Sequence, residues 1–117
     1  MTPDVAELIP LAMDIAPVAV TVFSNSGEIL YYNKFAPTLL DRKPEYIGRD
    51  IRACHLEKKS IEKIDRILEE FKQGGTRSFQ YEGERKGRRL TVTVSPLRKD
   101  GKLLACVHMV AVKQDAP

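Results

Sequence analysis

Residues 18 to 40 read Val-Ala-Val-Thr-Val-Phe-Ser-Asn-Ser-Gly-Glu-Ile-Leu-Tyr-Tyr-Asn-Lys-Phe-Ala-Pro-Thr-Leu-Leu. A β-prone run, Val18 to Phe23, meets a turn at Ser24-Asn25-Ser26-Gly27, and a second run, Glu28 to Tyr32, follows. Asn and Gly supply the positive φ that a tight hairpin needs. Asn33 is then a favoured N-cap, its side-chain oxygen suited to an orphan backbone N–H, for a small helix carrying Phe35, Ala36, Leu39 and Leu40.

Working outward, residues 3 to 15 predict an amphipathic helix, with Thr2 as cap and Pro3 at the first helical position. Val5, Leu8, Ile9, Ala12 and Met13 make its apolar stripe. Pro10 removes a backbone donor, so a kink or two short pieces are expected there. Downstream, Ser60 is the expected cap of a helix over 61–73, with Ile61, Ile64, Ile67, Leu68 and Phe71 on one face and Gly74-Gly75 at its end. Three strands follow. Residues 76–82 and 88–95 alternate, Lys99-Asp100-Gly101 turns the chain, and 103–112 is nearly continuous in β-prone residues, as a central strand would be. In that last strand His108 shares a face with Leu104, Cys106 and Val110. The sequence leaves open whether that face or the other meets the interior.

The order β-β-α-α-α-β-β-β and the hairpin wording resemble a PAS domain, whose opening reads roughly D-x-x-G-x-I-x-x-x-N-x-A. Ser24 to Ile29 and Asn33 to Ala36 match it, with Ser24 in place of Asp. Ile47-Gly48-Arg49-Asp50-Ile51 matches a second PAS phrase, hydrophobic-Gly-Arg/Lys-x-hydrophobic. The resemblance covers about residues 14 to 114. It implies an α+β PAS fold: a five-stranded antiparallel sheet in order 2-1-5-4-3, helices on one face, and a small cavity between. Residues 1–15 are then an N-terminal helical segment for dimerisation, and 16–114 the PAS domain.

At 117 residues the chain is long enough for one modest core. No apolar run approaches the roughly 18 residues that span a bilayer, and the N-terminus lacks the basic start of a signal peptide, so a cytoplasmic location is expected. Net charge is +3, with basic residues gathered at Arg85-Lys86-Gly87-Arg88-Arg89 and at Arg98, Lys99 and Lys102. Without interleaved aromatics these read as solvated hairpin turns rather than a nucleic-acid surface. Cys54 and Cys106 are far apart, without metal-ligand spacing, and read as free thiols. There is no phosphate loop, no G-x-S-x-G and no H-E-x-x-H, so no enzyme is expected.

What the resemblance implies about chemistry lies in the cavity. Cys54-His55 stands just before the long helix, where heme-binding PAS domains place a proximal His, and imidazole is a good axial ligand to iron. The expected site is therefore His55 as heme ligand and sole metal ligand, with Cys54, Ile51, Leu56, Ile64 and His108 lining the cofactor. Light-sensing PAS domains carry N-C-R-F-L-Q around a reactive Cys. Here Ala53-Cys54-His55-Leu56-Glu57 lacks the Asn, Arg and Gln that hold a flavin. The expected function is a sensory module that binds a small ligand, works as a homodimer and passes a shape change to an output domain. The alternative is a dimerising PAS scaffold without cofactor.

Overall fold

The computed structural model describes residues 2–54 and 58–113. Helix α1 (Val5–Ile15) leads into strand β1 (Ala19–Phe23), then β2 (Ile29–Tyr32) and the short helix α2 (Ala36–Leu39). Two 3-10 helices, Pro44–Tyr46 and Ile51–Cys54, precede α3 (Lys58–Lys72). Strands β3 (Phe79–Arg85), β4 (Arg88–Lys99) and β5 (Lys102–Val112) complete one antiparallel sheet in the order β2-β1-β5-β4-β3. The expected sheet order and the N-terminal helix are both present.

The sheet is built on a central strand. β5 pairs with β1 on one side and β4 on the other, which places Thr21, His108 and Val94 in one cross-strand row. Opposed residues share a face, so Ala19, Thr21 and Phe23 lie with Val110, His108 and Cys106. All six are buried. The helices cover this face. Ile64, Ile67, Leu68 and Phe71 of α3 enter the core, and the rings of Phe71 and Phe79 meet at 5.6 Å between centroids.

The burial of Cys106, His108 and Val110 decides what the sequence left open, and a bulge removes Leu104 from their face. β4 and β5 pair Leu97 with Ala105 but Arg98 with Leu103, so Leu104 has no partner. One extra residue reverses the alternation. Leu103 therefore packs against the core while Leu104 is half exposed, and Cys106, His108 and Val110 form the interior face without Leu104. The Asp100-Gly101 turn is as expected, with φ of 52° and 79°, the doubly left-handed pair of a two-residue hairpin.

Three expectations about helix ends are corrected. Asp4, not Thr2, caps α1, its carboxylate accepting from the Ala6 N–H at 3.0 Å. α1 runs unbroken across Pro10. Ala6 is exposed, so its carbonyl, left without the Pro10 donor, can turn to water. Ser60 lies inside the first turn of α3 rather than before it, since α3 begins at Lys58.

Arg98 closes the other end of α3. Its Nη2 donates to the carbonyl of Phe71 at 2.6 Å, which also accepts from the Gly74 N–H, and to that of Gly75 just past the helix at 2.8 Å. Arg98→Ala is expected to cost about 1–2 kcal/mol, read by urea unfolding. A cost below a few tenths would show that water replaces the guanidinium.

Candidate functional site

Asn33 is the joint of the N-terminal half. It is fully buried. Its Oδ1 accepts from the Val20 N–H at 2.9 Å, and its Nδ2 donates to the carbonyls of Val18 at 2.9 Å and Met13 at 2.6 Å. The side chain thus does not cap α2, whose preceding residue, Phe35, makes no side-chain cap. It ties the start of β1 to the last turn of α1. Lys34 N–H adds a bond to Asp14 Oδ1 at 3.1 Å, and burial, with Asp14 as the smaller cause, pushes the Tyr31 phenol pKa up. Among the described residues, the side-chain hydrogen bonds that tie α1 to the hairpin are at its C-terminal end, at Met13 and Asp14.

The second PAS-like phrase is strapped onto the hairpin. Ile29 N–H donates to Arg49 O, Gly48 N–H to Ile29 O, and Ile51 N–H to Gly27 O. Gly27 sits at φ +97°, and a Cβ there would come within 3.0 Å of Arg52 Nη2. Arg52 uses that closeness. It donates to Ser26 O at 2.7 Å, to both Asp50 oxygens at 2.8 Å and to Asp65 Oδ1 at 2.7 Å, joining hairpin, 3-10 turn and α3.

The hydrogen bonds from Arg52 hold the Asp50 carboxyl below the usual carboxylate range. The folded form then binds the proton less readily than the unfolded one. The pair stabilises the fold above the unfolded value of about 4 and is lost as pH falls through the lower folded value. Asp50→Asn is expected to flatten stability against pH below about 4. Parallel curves for both proteins would show that Asp50 is not the responsible carboxylate.

Inside, the sheet presents a polar centre in an apolar core. Thr21 and His108 are neighbours across β1 and β5 and both are buried. Arg42, from the loop after α2, is 6% exposed and its Nε donates to Thr21 Oγ1 at 3.1 Å. Its Nη1 donates to Asp41 O, and Asp41 accepts from Tyr46 OH. Sequence reading missed Arg42. A charged residue in a loop reads as surface, and only the fold brings it over Thr21. Cys106 is an inert core thiol, its pKa pushed up to about 11 by burial.

Of the expected site residues, Ile51, Ile64 and His108 all belong to this interior. His55, Leu56 and the Cys54 side chain lie outside the described residues. Heme does not fit what is described. Ile51 is 0% exposed and Ile64 3%, in one cluster with Phe23, Ile29 and Phe71 at 0–1%. Side chains with so little accessible surface line no water-sized void, and a ligand pocket needs about 300 Å³ or more. Two depressions among the described residues lie elsewhere: about 520 Å³ between α3 and β3, and about 430 Å³ beside α1 at Leu8, Leu11, Ile15 and Lys34. Among the described residues no group of His, Cys, Asp or Glu is placed to hold a metal ion.

A five-stranded antiparallel sheet with helices on one face and a buried polar centre defines an α+β fold. The PAS domain model matches residues 11–112, and the chain belongs to the PAS family. Solved structures agree on the fold. A C-terminal domain from Streptococcus mutans is 21% identical with a TM-score of 0.77, covering 92% of this chain and 84% of its own. A PAS domain from Colwellia psychrerythraea is 17% identical with a TM-score of 0.72, covering 94% and 98%. The Cronobacter turicensis RpfR quorum-sensing receptor PAS domain, solved in complex with BDSF, is 16% identical with a TM-score of 0.64, covering 85% and 96%. No curated protein matches the chain.

Proposed function

We propose that this chain is a cytoplasmic sensory PAS module that works without catalysis, as a homodimer joined through α1, and relays changes in its interior to an output domain through that helix. The carrying observation is α1 itself. Its sequence, Val-Ala-Glu-Leu-Ile-Pro-Leu-Ala-Met-Asp-Ile, is apolar nearly all round, yet none of its residues is buried. Val5, Leu8, Ile9, Leu11 and Ile15 are 44–85% exposed. A helix of this kind is stable in water when another apolar surface covers it. A second α1 meets the need, because a two-fold pair presents the same stripe from both sides. Asn33 supports the relay, since one buried amide holds both β1 and the last turn of α1.

The sensory class is supported by relatives of the same fold that are sensor and receptor domains, among them a sensory box histidine kinase from Vibrio cholerae and the RpfR receptor domain. A small ligand would enter only by parting the packed side chains around Thr21, Arg42 and His108, the polar centre of the interior. Native mass spectrometry of freshly purified protein tests the reading, with a dimer carrying a discrete small-molecule mass as the expected result. A strict monomer without added mass would remove both parts of it.

The packed interior also gives an expected outcome for heme. Titration with hemin gives no saturable Soret band. A saturable band that disappears in His55→Ala and survives in His108→Ala would reverse this and restore His55 as an iron ligand.

A further inference from the structure

We propose that the free edge of β3 and the groove beside it form a docking site for an extended peptide, one with alternate apolar residues, an acidic residue at its N-terminal end and a basic residue at its C-terminal end. This site is distinct from α1, and its test is independent of the dimer.

β3 is an edge strand, paired only with β4. Lys86 and Gly87, at φ 53° and 78°, make the two-residue turn that joins them. In such a hairpin the flanking residues, here Arg85 and Arg88, exchange both ladder bonds, and the alternation continues from there. Gly83, Tyr81 and Phe79 then bond to β4, while Gln80, Glu82 and Glu84 aim their N–H and C=O at the free edge. Among the described residues no bond reaches Gln80 from that side. The far half of the edge carries Glu82, Glu84 and Arg85, the charges that keep strands from adding indiscriminately. The near half, Phe79 to Tyr81, lacks them.

That near half borders the 520 Å³ groove, whose floor is Ile67, Phe79 and Tyr81. A peptide residue opposite Gln80 would share its outer face. The residues on either side would then point with Phe79 and Tyr81, into the groove. The rim is split by charge. Lys63 and Arg66 stand at one end, with Lys63 Nζ 3.9 Å from the centre of the Tyr81 ring. Neither has an ion-pair partner among the described residues. Glu69 and Glu70 stand one turn further on. α3 runs back along β3, so a strand added antiparallel to β3 starts at Lys63 and Arg66 and ends at Glu69 and Glu70. The charged residues must share the groove face with the apolar ones, which fixes the order acidic, any, apolar, any, apolar, any, basic.

The probe is the capped peptide Glu-Thr-Val-Thr-Val-Thr-Lys, titrated into the ¹⁵N-labelled full chain by NMR. Saturable shifts are expected at Lys63, Ile67, Gln80 and Tyr81. Lys-Thr-Val-Thr-Val-Thr-Glu is expected to bind about tenfold more weakly, as is the parent peptide to Gln80→Pro. Proline at Gln80 removes only an outward N–H, which edge strands tolerate. Should Gln80→Pro unfold the protein, Lys63→Glu/Arg66→Glu on the surface of α3 carries the test, with the preference between the two peptides expected to disappear. Absent shifts at millimolar peptide would overturn the proposal. So would binding indifferent to Gln80→Pro and charge order, which would mark a small amphipathic anion as the occupant. A change in oligomer mass on these variants would also overturn it, by showing a second copy on this edge.

Discussion

Asn33→Ala is expected to lower the unfolding free energy by about 2–4 kcal/mol, more than the loss of a helix cap, which costs about 1 kcal/mol. The Asn33 amide serves the Val20 N–H and the Val18 and Met13 carbonyls from a site with no accessible surface. Alanine leaves these groups facing a methyl where water does not reach the Val20 N–H. A buried unsatisfied group costs about 1–3 kcal/mol, and partial rearrangement offsets some of the sum. Urea unfolding measures the loss. Asn33→Asp separates the parts, because it keeps the acceptor for Val20 and removes both donors. A loss below about 1 kcal/mol in the alanine variant would show that α1 and β1 are held by something else. Hydrogen exchange adds a second readout. The last turn of α1 is expected to exchange faster in Asn33→Ala, while α3 and β4 change only with the global stability.

Much of the architecture was legible because it is written in short-range signals. The Ser24–Gly27 turn, the stripe of α3 and the Asp100-Gly101 turn each sit within a few residues of what they control. Their order in the chain matched the PAS pattern, and from it followed the sheet order. What stayed hidden depends on distant partners. Asn33 after a strand reads as a cap, and only the packing of α1 onto the hairpin turns its amide toward Met13 and Val18. Strict alternation in 103–112 put Leu104 on one face with Cys106, His108 and Val110. The bulge that expels it is set by the register against β4, some distance upstream. Pro10 reads as a helix breaker because the cost is counted locally, yet on an exposed helix water can take the freed carbonyl. The heme reading had the same weakness. It placed His55 and apolar neighbours along the chain, but whether Ile51 and Ile64 border a slot or pack against Phe23 and Phe71 is a property of the filled core. The arginines show the limit most plainly. Arg42, Arg52 and Arg98 each tie two or more elements together, and in sequence each is one more basic residue in a chain with a net charge of +3.

The largest functional effect is expected from α1. Leu8, Leu11, Ala12 and Ile15 recur at the spacing of one helical face, and Leu8, Leu11 and Ile15 line the open depression beside Lys34. In a two-fold pair each substitution acts twice. Leu8→Asp/Leu11→Asp places four carboxylates in the contact and removes four leucines from it, so dimer affinity is expected to fall at least about a hundredfold. The fold should survive, because no α1 residue is part of the buried core. The most direct test is sedimentation equilibrium of the whole chain beside this variant, with circular dichroism to show that both are folded. The account predicts twice the 13.2 kDa chain mass for the parent and 13.2 kDa for the variant at the same micromolar concentration. A folded variant that remains a dimer, or a parent that sediments as a monomer, would contradict it.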